Sequence, residues 1–151
     1  MKHLKPAIFS LLLVLVSAAT AEPVLEVDSP WIREAPPGAR VLAGYMTFFN
    51  HGATPITLVN VTSPDFESAE IHRTVIEDGV ARMLPVERLA IPANGRIALE
   101  PGGRHLMLFN PARPLHAGDS TTLIIHLADG AEIRLSVPVV HQDGVQNHPH
   151  H

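Results

Sequence analysis

Hydrophobic and polar residues alternate along most of the chain in short runs, and no window keeps the apolar period of a long amphipathic helix. The runs are rich in Val, Ile, Leu and Thr, which favours β-strands. Turn sequences containing Gly, Pro, Asn and Asp separate them, commonly every 8–12 residues or so. The pattern predicts strands at 24–27, 41–49, 56–61, 70–74, 80–84, 96–99, 105–109, 121–127 and 132–140.

This succession of short strands shows no internal repeat and no helical segment between strands. Such a pattern is typical of an antiparallel β-sandwich or barrel. We therefore predict an all-β, single-domain fold.

The first 21 residues are predicted to be a secretory signal peptide. Lys2 and Lys5 precede an apolar run over 7–16, and Ala19-Thr20-Ala21 has the form of a cleavage site. The alternative is an uncleaved anchor, but the run is short for a membrane span. We expect a domain over 22–140, followed by a polar tail over 141–151, with no membrane association after cleavage.

Charge and cysteine content narrow the range of functions. Without the two lysines of the signal, nine arginines oppose 15 acidic residues, a net charge near −6 with neutral histidines. No basic stripe exists, so nucleic acid is not an expected partner. The chain has no cysteine, which excludes disulfides, thiolate metal sites and a cysteine nucleophile.

Histidine and methionine supply the candidate chemistry. His72, Met83, His105 and Met107 form the series H-x10-M-x21-H-x-M, although the chain has only four methionines. Imidazole and thioether ligands together suit Cu(I) better than zinc, magnesium or calcium. Unlike a thiolate, a thioether cannot form a disulfide outside the cytosol.

Local spacing brings these residues together two at a time. Asp78-Gly79 is a strong signal for a two-residue hairpin, in which Thr74 would lie opposite Met83. His72 shares the face of Thr74 and becomes a diagonal neighbour of Met83. His105 and Met107 share a face by the same alternation. Only the fold can bring the two pairs together. The loop sequence Pro101-Gly102-Gly103 before His105 predicts that the site lies at one end of the barrel.

Taken singly, each residue has a plainer interpretation. A strand methionine is usually in the core, which is our prediction for Met46, and a strand histidine usually lies at the surface. We expect His51, His116 and His126 to be surface residues. Trp31 and Tyr45 are predicted to be packing anchors.

The joint spacing resembles that of the PCu(A)C family of periplasmic copper chaperones, which carries the same H-x10-M-x21-H-x-M series. The similarity extends over roughly 27–140. It includes these further segments: Pro30-Trp31-Ile32-Arg33, Pro36-Pro37-Gly38, Ala43-Gly44-Tyr45, Asn50-His51-Gly52, Glu70-Ile71-His72, Met83-Leu84-Pro85-Val86, Ile91-Pro92-Ala93 and Pro101-Gly102-Gly103-Arg104. Thr74 stands where many relatives have a methionine, so any auxiliary thioether at that position is lost.

The resemblance implies a cupredoxin-like Greek-key barrel or sandwich that binds one Cu(I) through His72, Met83, His105 and Met107. It also implies copper delivery in the periplasm to the CuA or CuB centres of cytochrome c oxidase. The expected partners are an apo oxidase subunit or a Sco-type copper protein, and we expect a monomer. Electron transfer is not expected, since a blue-copper site needs a cysteine thiolate.

The tail offers a second candidate site. His141, His148, His150 and His151 supply imidazoles without thioethers, a set that suits Cu(II) better than Cu(I). A solvated tail with incidental histidines, or an expression remnant, are the alternatives.

Three classes of function remain open from the sequence. The leading one is a metal-transfer protein. The second is a copper sequestration or resistance protein, and the third is a β-sandwich interaction module with incidental histidines and methionines. We do not expect an enzyme, because no catalytic pattern stands out.

Overall fold

The computed structural model describes residues 23–141. The predicted signal peptide, residue 22 and all of the predicted tail except His141 lie outside this range. The described chain is built from ten strands: β1 Leu25–Arg33, β2 Val41–Asn50, β3 Ile56–Thr62, β4 Phe66–Glu77, β5 Val80–Pro85, β6 Leu89–Ile91, β7 Arg96–Leu99, β8 Arg104–Pro111, β9 Ser120–Leu127 and β10 Glu132–Val140. Within residues 23–141, no helix is long and apolar enough to cross a membrane.

Seven of the strands close into a barrel in the order β4-β8-β2-β1-β10-β9-β3, and β3 returns to β4 through Val61 opposite Ala69. β5, β6 and β7 add to β4, β3 and β2. All pairs are antiparallel except β1 with β10, which run parallel. The prediction of an all-β barrel is therefore confirmed. The antiparallel prediction was incomplete, because closure places the first and last strands side by side in the same direction.

Two features of the strands were not predicted. β6 is a three-residue strand that pairs with β3, and it is too short to show an alternating pattern. β1 continues past Pro30 to Arg33, with a bulge between Asp28 and Trp31 where Ser29 has a φ of 48°. A bulge accommodates a proline in a strand, because the missing N–H is not needed at that point in the ladder.

The core fills the barrel interior with aliphatic side chains and Phe48. Along β2 the side chains that belong to the core are Leu42, Met46 and Phe48, while Val41 and Ala43 face outward. Met46 is therefore a core residue, as predicted. Ile71 of β4 and Leu106 and Leu108 of β8 also point inward, so the odd-numbered residues of β8 and the even-numbered residues from Glu70 to Thr74 on β4 lie on the outer face.

The β4–β5 hairpin has the register that its turn predicts. Glu77 pairs with Val80 and Thr74 with Met83. Asp78 and Gly79 have φ values of 52° and 77°, which is the positive pair required by a type I′ turn. The hairpin extends beyond β8, because the last β4–β8 pair is Arg73 with Arg104.

Candidate metal centre

The register between β4 and β8 places the two histidines of the series side by side. His72 lies directly opposite His105 in the antiparallel ladder. Their ring centroids are 6.1 Å apart, and the ring planes make an angle of 32°. The sequence predicted each histidine on a strand but not this pairing, which joins positions 33 residues apart.

Each ring has one nitrogen in a hydrogen bond and one without. Nε2 of His72 lies 2.8 Å from Oε2 of Glu70, and Nδ1 of His105 lies 3.1 Å from the carbonyl oxygen of Gly103. Nδ1 of His72 and Nε2 of His105 are buried and have no hydrogen-bond partner. Among residues 23–141 only one other buried side-chain nitrogen or oxygen shares this state, Nε of Arg33.

The two bare nitrogens fit a metal ion. Burying a polar atom without a partner costs about 1–3 kcal/mol, so these two atoms on neighbouring rings are candidate ligands for an ion. Imidazole nitrogens bind zinc at about 2.0–2.1 Å, and copper bonds are of similar length. Rings separated by 6.1 Å are therefore close enough to hold one ion.

Met107 lies beside the histidines on the outer face. It pairs with Glu70 on one side and with Ala43 of β2 on the other, and its side chain is half-buried. It shares the face of His105 two residues away, as the alternation predicts. A soft thioether is thus available next to the two imidazoles.

Met83 completes the series from the hairpin. It pairs with Thr74, while His72 pairs with Pro85, so Met83 and His72 are the predicted diagonal neighbours on one face. Met83 is 59% exposed. All four residues of the series therefore lie on one outer face where β5, β4 and β8 adjoin. This is the barrel wall near the end where β8 begins, and not the barrel mouth.

The loop before β8 shapes the histidine pair. Gly102 has a φ of 84°, a conformation that glycine adopts without strain. The turn is closed by the Gly103 N–H, which donates to the Glu100 carbonyl at 3.0 Å, and the Glu100 N–H, which donates to the Arg104 carbonyl at 2.8 Å. The Gly103 carbonyl is thereby held at the ring of His105.

Sequence reasoning missed Glu70 and Gly103 as residues that contact the histidines. A signal for Glu70 was present, because residues two apart on a strand share a face. Gly103 acts through its backbone carbonyl, which no side-chain pattern reveals.

Trp31 and Tyr45 contact each other, with ring centroids 4.5 Å apart, and the guanidinium of Arg33 lies 5.4 Å from the Tyr45 ring centroid.

The tail site is described only at its first residue. Nδ1 of His141 is hydrogen-bonded to Oε2 of Glu34. The pKa of the Glu34 carboxyl is lowered below its ordinary value, mainly by this bond and secondly by the hydrogen bond that the Ala117 N–H donates. His148, His150 and His151 lie outside the described residues, so the Cu(II) hypothesis for the tail stays a prediction.

The remaining histidines contact carboxylates at the surface. His51 lies 2.7 Å from Glu26, and His116 lies 3.8 Å from Glu34. His126 is more buried and contacts Thr62 at 2.7 Å and Glu132 at 3.2 Å. Over residues 23–141, no three His, Cys, Asp or Glu side chains form a group that could hold a metal ion.

Comparison with known proteins places the chain in a family. The family model described as "Putative lipoprotein LpqE-like" matches residues 25–139. A "Putative lipoprotein" of Leifsonia xyli subsp. xyli (strain CTCB07) is 30% identical over 116 residues, covering 76% of this chain and 69% of that protein. An uncharacterised protein of Rickettsia prowazekii (strain Madrid E) is 30% identical over 130 residues, covering 82% and 70%.

Solved structures share the barrel. Cu(I)-bound DR1885 from Deinococcus radiodurans is 32% identical with a TM-score of 0.64, covering 81% of each chain. Apo-DR1885 is 30% identical with a TM-score of 0.63, covering 94% of this chain and 97% of that one. The copper-bound PCuAC domain from PmoF2, with a TM-score of 0.68, 21% identity and coverage of 81% and 97%, shows the fold alone.

The predicted cupredoxin-like barrel agrees with these neighbours. The matched segment contains the whole of the face that carries His72, Met83, His105 and Met107. The chain therefore belongs to the LpqE-like family, and the PCuAC resemblance indicated by its sequence is confirmed.

Proposed function

We propose that this protein binds one Cu(I) ion through His72, Met83, His105 and Met107 and transfers it to another protein. The observation that carries the proposal is the pair of buried nitrogens without partners, Nδ1 of His72 and Nε2 of His105. Two imidazoles and two thioethers bring no charge, so the set favours a soft monovalent ion over harder divalent ions. The 32% identity to a protein solved with Cu(I) supports the same choice.

Transfer is supported by the uneven exposure of the face. His105 is only 7% exposed, whereas Met83 is 59% exposed. An incoming ligand can replace Met83 first while the histidines still hold the ion, so free copper is never released. Sequestration requires no such open side, and it remains the second candidate because it would use the same four residues.

The proposed setting is the periplasm, after removal of residues 1–21. Membership in a family described as lipoprotein-like supports an exported or envelope protein. The proposed recipient is a cytochrome c oxidase subunit at the CuA or CuB stage of assembly, with a Sco-type copper protein as a further partner. No catalytic turnover is part of this function.

A competition titration with a Cu(I) chelator tests the site. Wild-type protein should take up one Cu(I) per chain, and His72→Ala should lose most of the affinity. His51→Ala is the matched control, because His51 is an exposed histidine that pairs with Glu26. Wild-type affinity in His72→Ala would rule out the assigned site. Affinity should also fall toward acidic pH, because protons compete with the metal for the imidazole nitrogens.

An experiment with a recipient protein distinguishes copper transfer from sequestration. Cu(I)-loaded protein is mixed with the apo soluble domain of oxidase subunit II, and the copper content of each is measured after separation. Copper on the recipient supports transfer, and full retention supports sequestration.

For the tail, deletion of 142–151 should lower the Cu(II) stoichiometry and leave Cu(I) binding unchanged. An unchanged Cu(II) stoichiometry would remove the tail site.

A further inference from the structure

Glu70 lies next to the histidine pair on the outer face of the barrel. It precedes His72 by two residues on β4, and its Oε2 is 2.8 Å from His72 Nε2. It also lies directly opposite Met107 in the β4–β8 ladder. Its carboxylate therefore contacts one residue of the proposed copper site and faces another.

The hydrogen bond determines which nitrogen of His72 carries the proton. An ionised carboxylate can only accept, so Nε2 of the neutral ring must donate. The lone pair then lies on Nδ1, which is the buried atom without a partner. In the other tautomer Nδ1 would carry a buried hydrogen without an acceptor, and Nε2 would face the carboxylate with a lone pair. Both changes are unfavourable.

His105 has the reverse arrangement. Its Nδ1 lies 3.1 Å from the Gly103 carbonyl, which can only accept, so the hydrogen is on Nδ1 and the lone pair on the buried Nε2. The two rings therefore present different nitrogens. The acceptor for His105 is backbone and neutral, whereas the acceptor for His72 is a charged side chain. A charged acceptor makes the ring a more basic ligand.

We propose that Glu70 is a positioning residue of the copper site. Its carboxylate holds His72 as the Nε2–H tautomer, so that His72 offers Nδ1 and His105 offers Nε2 to the same Cu(I). The carboxylate also places one negative charge beside an otherwise neutral ligand set. This inference rests on the proposed function in one respect, namely that the two histidines bind copper. The tautomer itself is a property of the metal-free protein.

The tautomer is measured on metal-free protein by long-range ¹H–¹⁵N NMR of the imidazole rings at about pH 8, where histidine is ordinarily neutral. We expect a protonated Nε2 and a bare Nδ1 for His72, and the opposite for His105. In Glu70→Ala the His72 signals should move toward a mixture of tautomers. Glu70→Gln keeps an acceptor oxygen and should keep the wild-type tautomer, and His105 should not change in either variant.

Copper affinity is measured on the same variants by chelator competition. Loss of an outer partner of a metal-binding histidine typically costs 10–100-fold in affinity, and we expect a loss of about that size for Glu70→Ala. Glu70→Gln should lose less, because it keeps the hydrogen bond and removes only the charge. Glu87→Ala is the matched control, since Glu87 is an exposed glutamate just after β5 and its removal changes the net charge equally.

The outcomes distinguish the role of Glu70 from the proposed binding of Cu(I). An unchanged His72 tautomer together with wild-type affinity in Glu70→Ala would overturn the role of Glu70 and leave the copper site intact. Equal losses in Glu70→Gln and Glu70→Ala would also overturn it, because they would show that the negative charge and not the hydrogen bond to His72 accounts for the loss. If wild-type protein took up no Cu(I), the proposed function would fail, while the NMR measurement would still decide the tautomer.

Discussion

The two histidines and Met83 lie in regions that differ in strand pairing and core packing. His72 and His105 lie on β4 and β8 where both strands belong to the closed barrel, with Ile71 and Leu106 packed into the core behind them. Met83 lies on β5, which pairs with β4 alone among the described strands. Beyond Arg73 the hairpin has no further neighbour in the ladder, and an isolated two-stranded hairpin is only marginally stable.

In the proposed copper site, this difference would give the barrel and the hairpin different roles. The barrel part holds two nitrogens in a geometry that persists without metal, because core packing fixes the strands. The hairpin part supplies a thioether that can leave at low cost. A carrier needs both properties, since it must hold an ion and also release it. Substitutions in the barrel, the hairpin and the hairpin turn test this contrast in order of decreasing effect, and a substitution of Glu34 supplies a fourth, smaller test elsewhere in the fold.

Removing a barrel ligand should abolish tight binding. We expect His105→Ala to lower Cu(I) affinity by more than about 100-fold, beyond the range typical of outer partners. The reason is that the remaining imidazole and two thioethers cannot replace a nitrogen held in the barrel wall. Chelator competition measures the effect, with His51→Ala as control. An affinity for His105→Ala within a few-fold of wild type would contradict the barrel half of the comparison.

Removing the hairpin ligand should have a smaller effect on affinity and almost none on folding. We expect Met83→Ala to lower Cu(I) affinity about 10-fold, or about 1.4 kcal/mol. Stability should change by less than about 0.5 kcal/mol, as for most surface substitutions. Met46→Ala is the control, for which we expect a large loss of stability and no loss of Cu(I) affinity. Met46 is 2% exposed in the core, so its loss should cost about 2–5 kcal/mol of stability and spare the site.

Affinity and denaturant unfolding are measured on both methionine variants. A large loss of stability in Met83→Ala would show that the hairpin is part of the folded core. A loss of Cu(I) affinity in folded Met46→Ala equal to that in Met83→Ala would show that the site and the core are not independent.

Destabilising the β4–β5 turn should affect the hairpin and not the barrel, without changing any of the four proposed ligands. Gly79 has a φ of 77°, and an L-residue in the left-handed region costs about 1–2 kcal/mol. Gly79→Ala should therefore speed amide exchange over 74–83 by about 5–30-fold and leave the His105 amide unchanged. Gly130→Ala is the matched control, because Gly130 also has a positive φ, 91°, and open space around it, but lies in the turn between β9 and β10. It should leave exchange over 74–83 unchanged. Equal acceleration in both regions would contradict the contrast.

The smallest effect is expected at Glu34, remote from the four-residue series. Its pKa is lowered because His141 and the Ala117 N–H bond to the carboxylate. A carboxyl with a lowered pKa stabilises the fold above its ordinary value of 4.5, and this contribution is lost as the pH falls through the lowered value. Glu34→Gln should therefore lower Tm slightly at pH 7, and the difference should shrink as the pH falls below 4.5. A difference that does not shrink in acid would contradict the charge effect.

Local patterns predicted the fold class and half of the site. The Asp78-Gly79 turn predicted the pairing of Thr74 with Met83, and the structure has that register. Alternation placed His105 and Met107 on one face. The pattern could not predict β6, which is too short, or the continuation of β1 through a bulge. It also did not identify Glu70, although the i, i+2 spacing was visible.

The sequence by itself determined the strands, the hairpin and which candidate ligands share a strand face, because these depend on residues close together in the chain. Only the tertiary structure decided that His72 lies opposite His105. That register follows from burying Ala69 and Ile71 of β4 together with Leu106 and Leu108 of β8. A slip of one residue would turn those core side chains to solvent and the histidines inward. The core thus sets the position of the outer face that carries the four residues of the proposed copper site, although its own side chains point into the barrel.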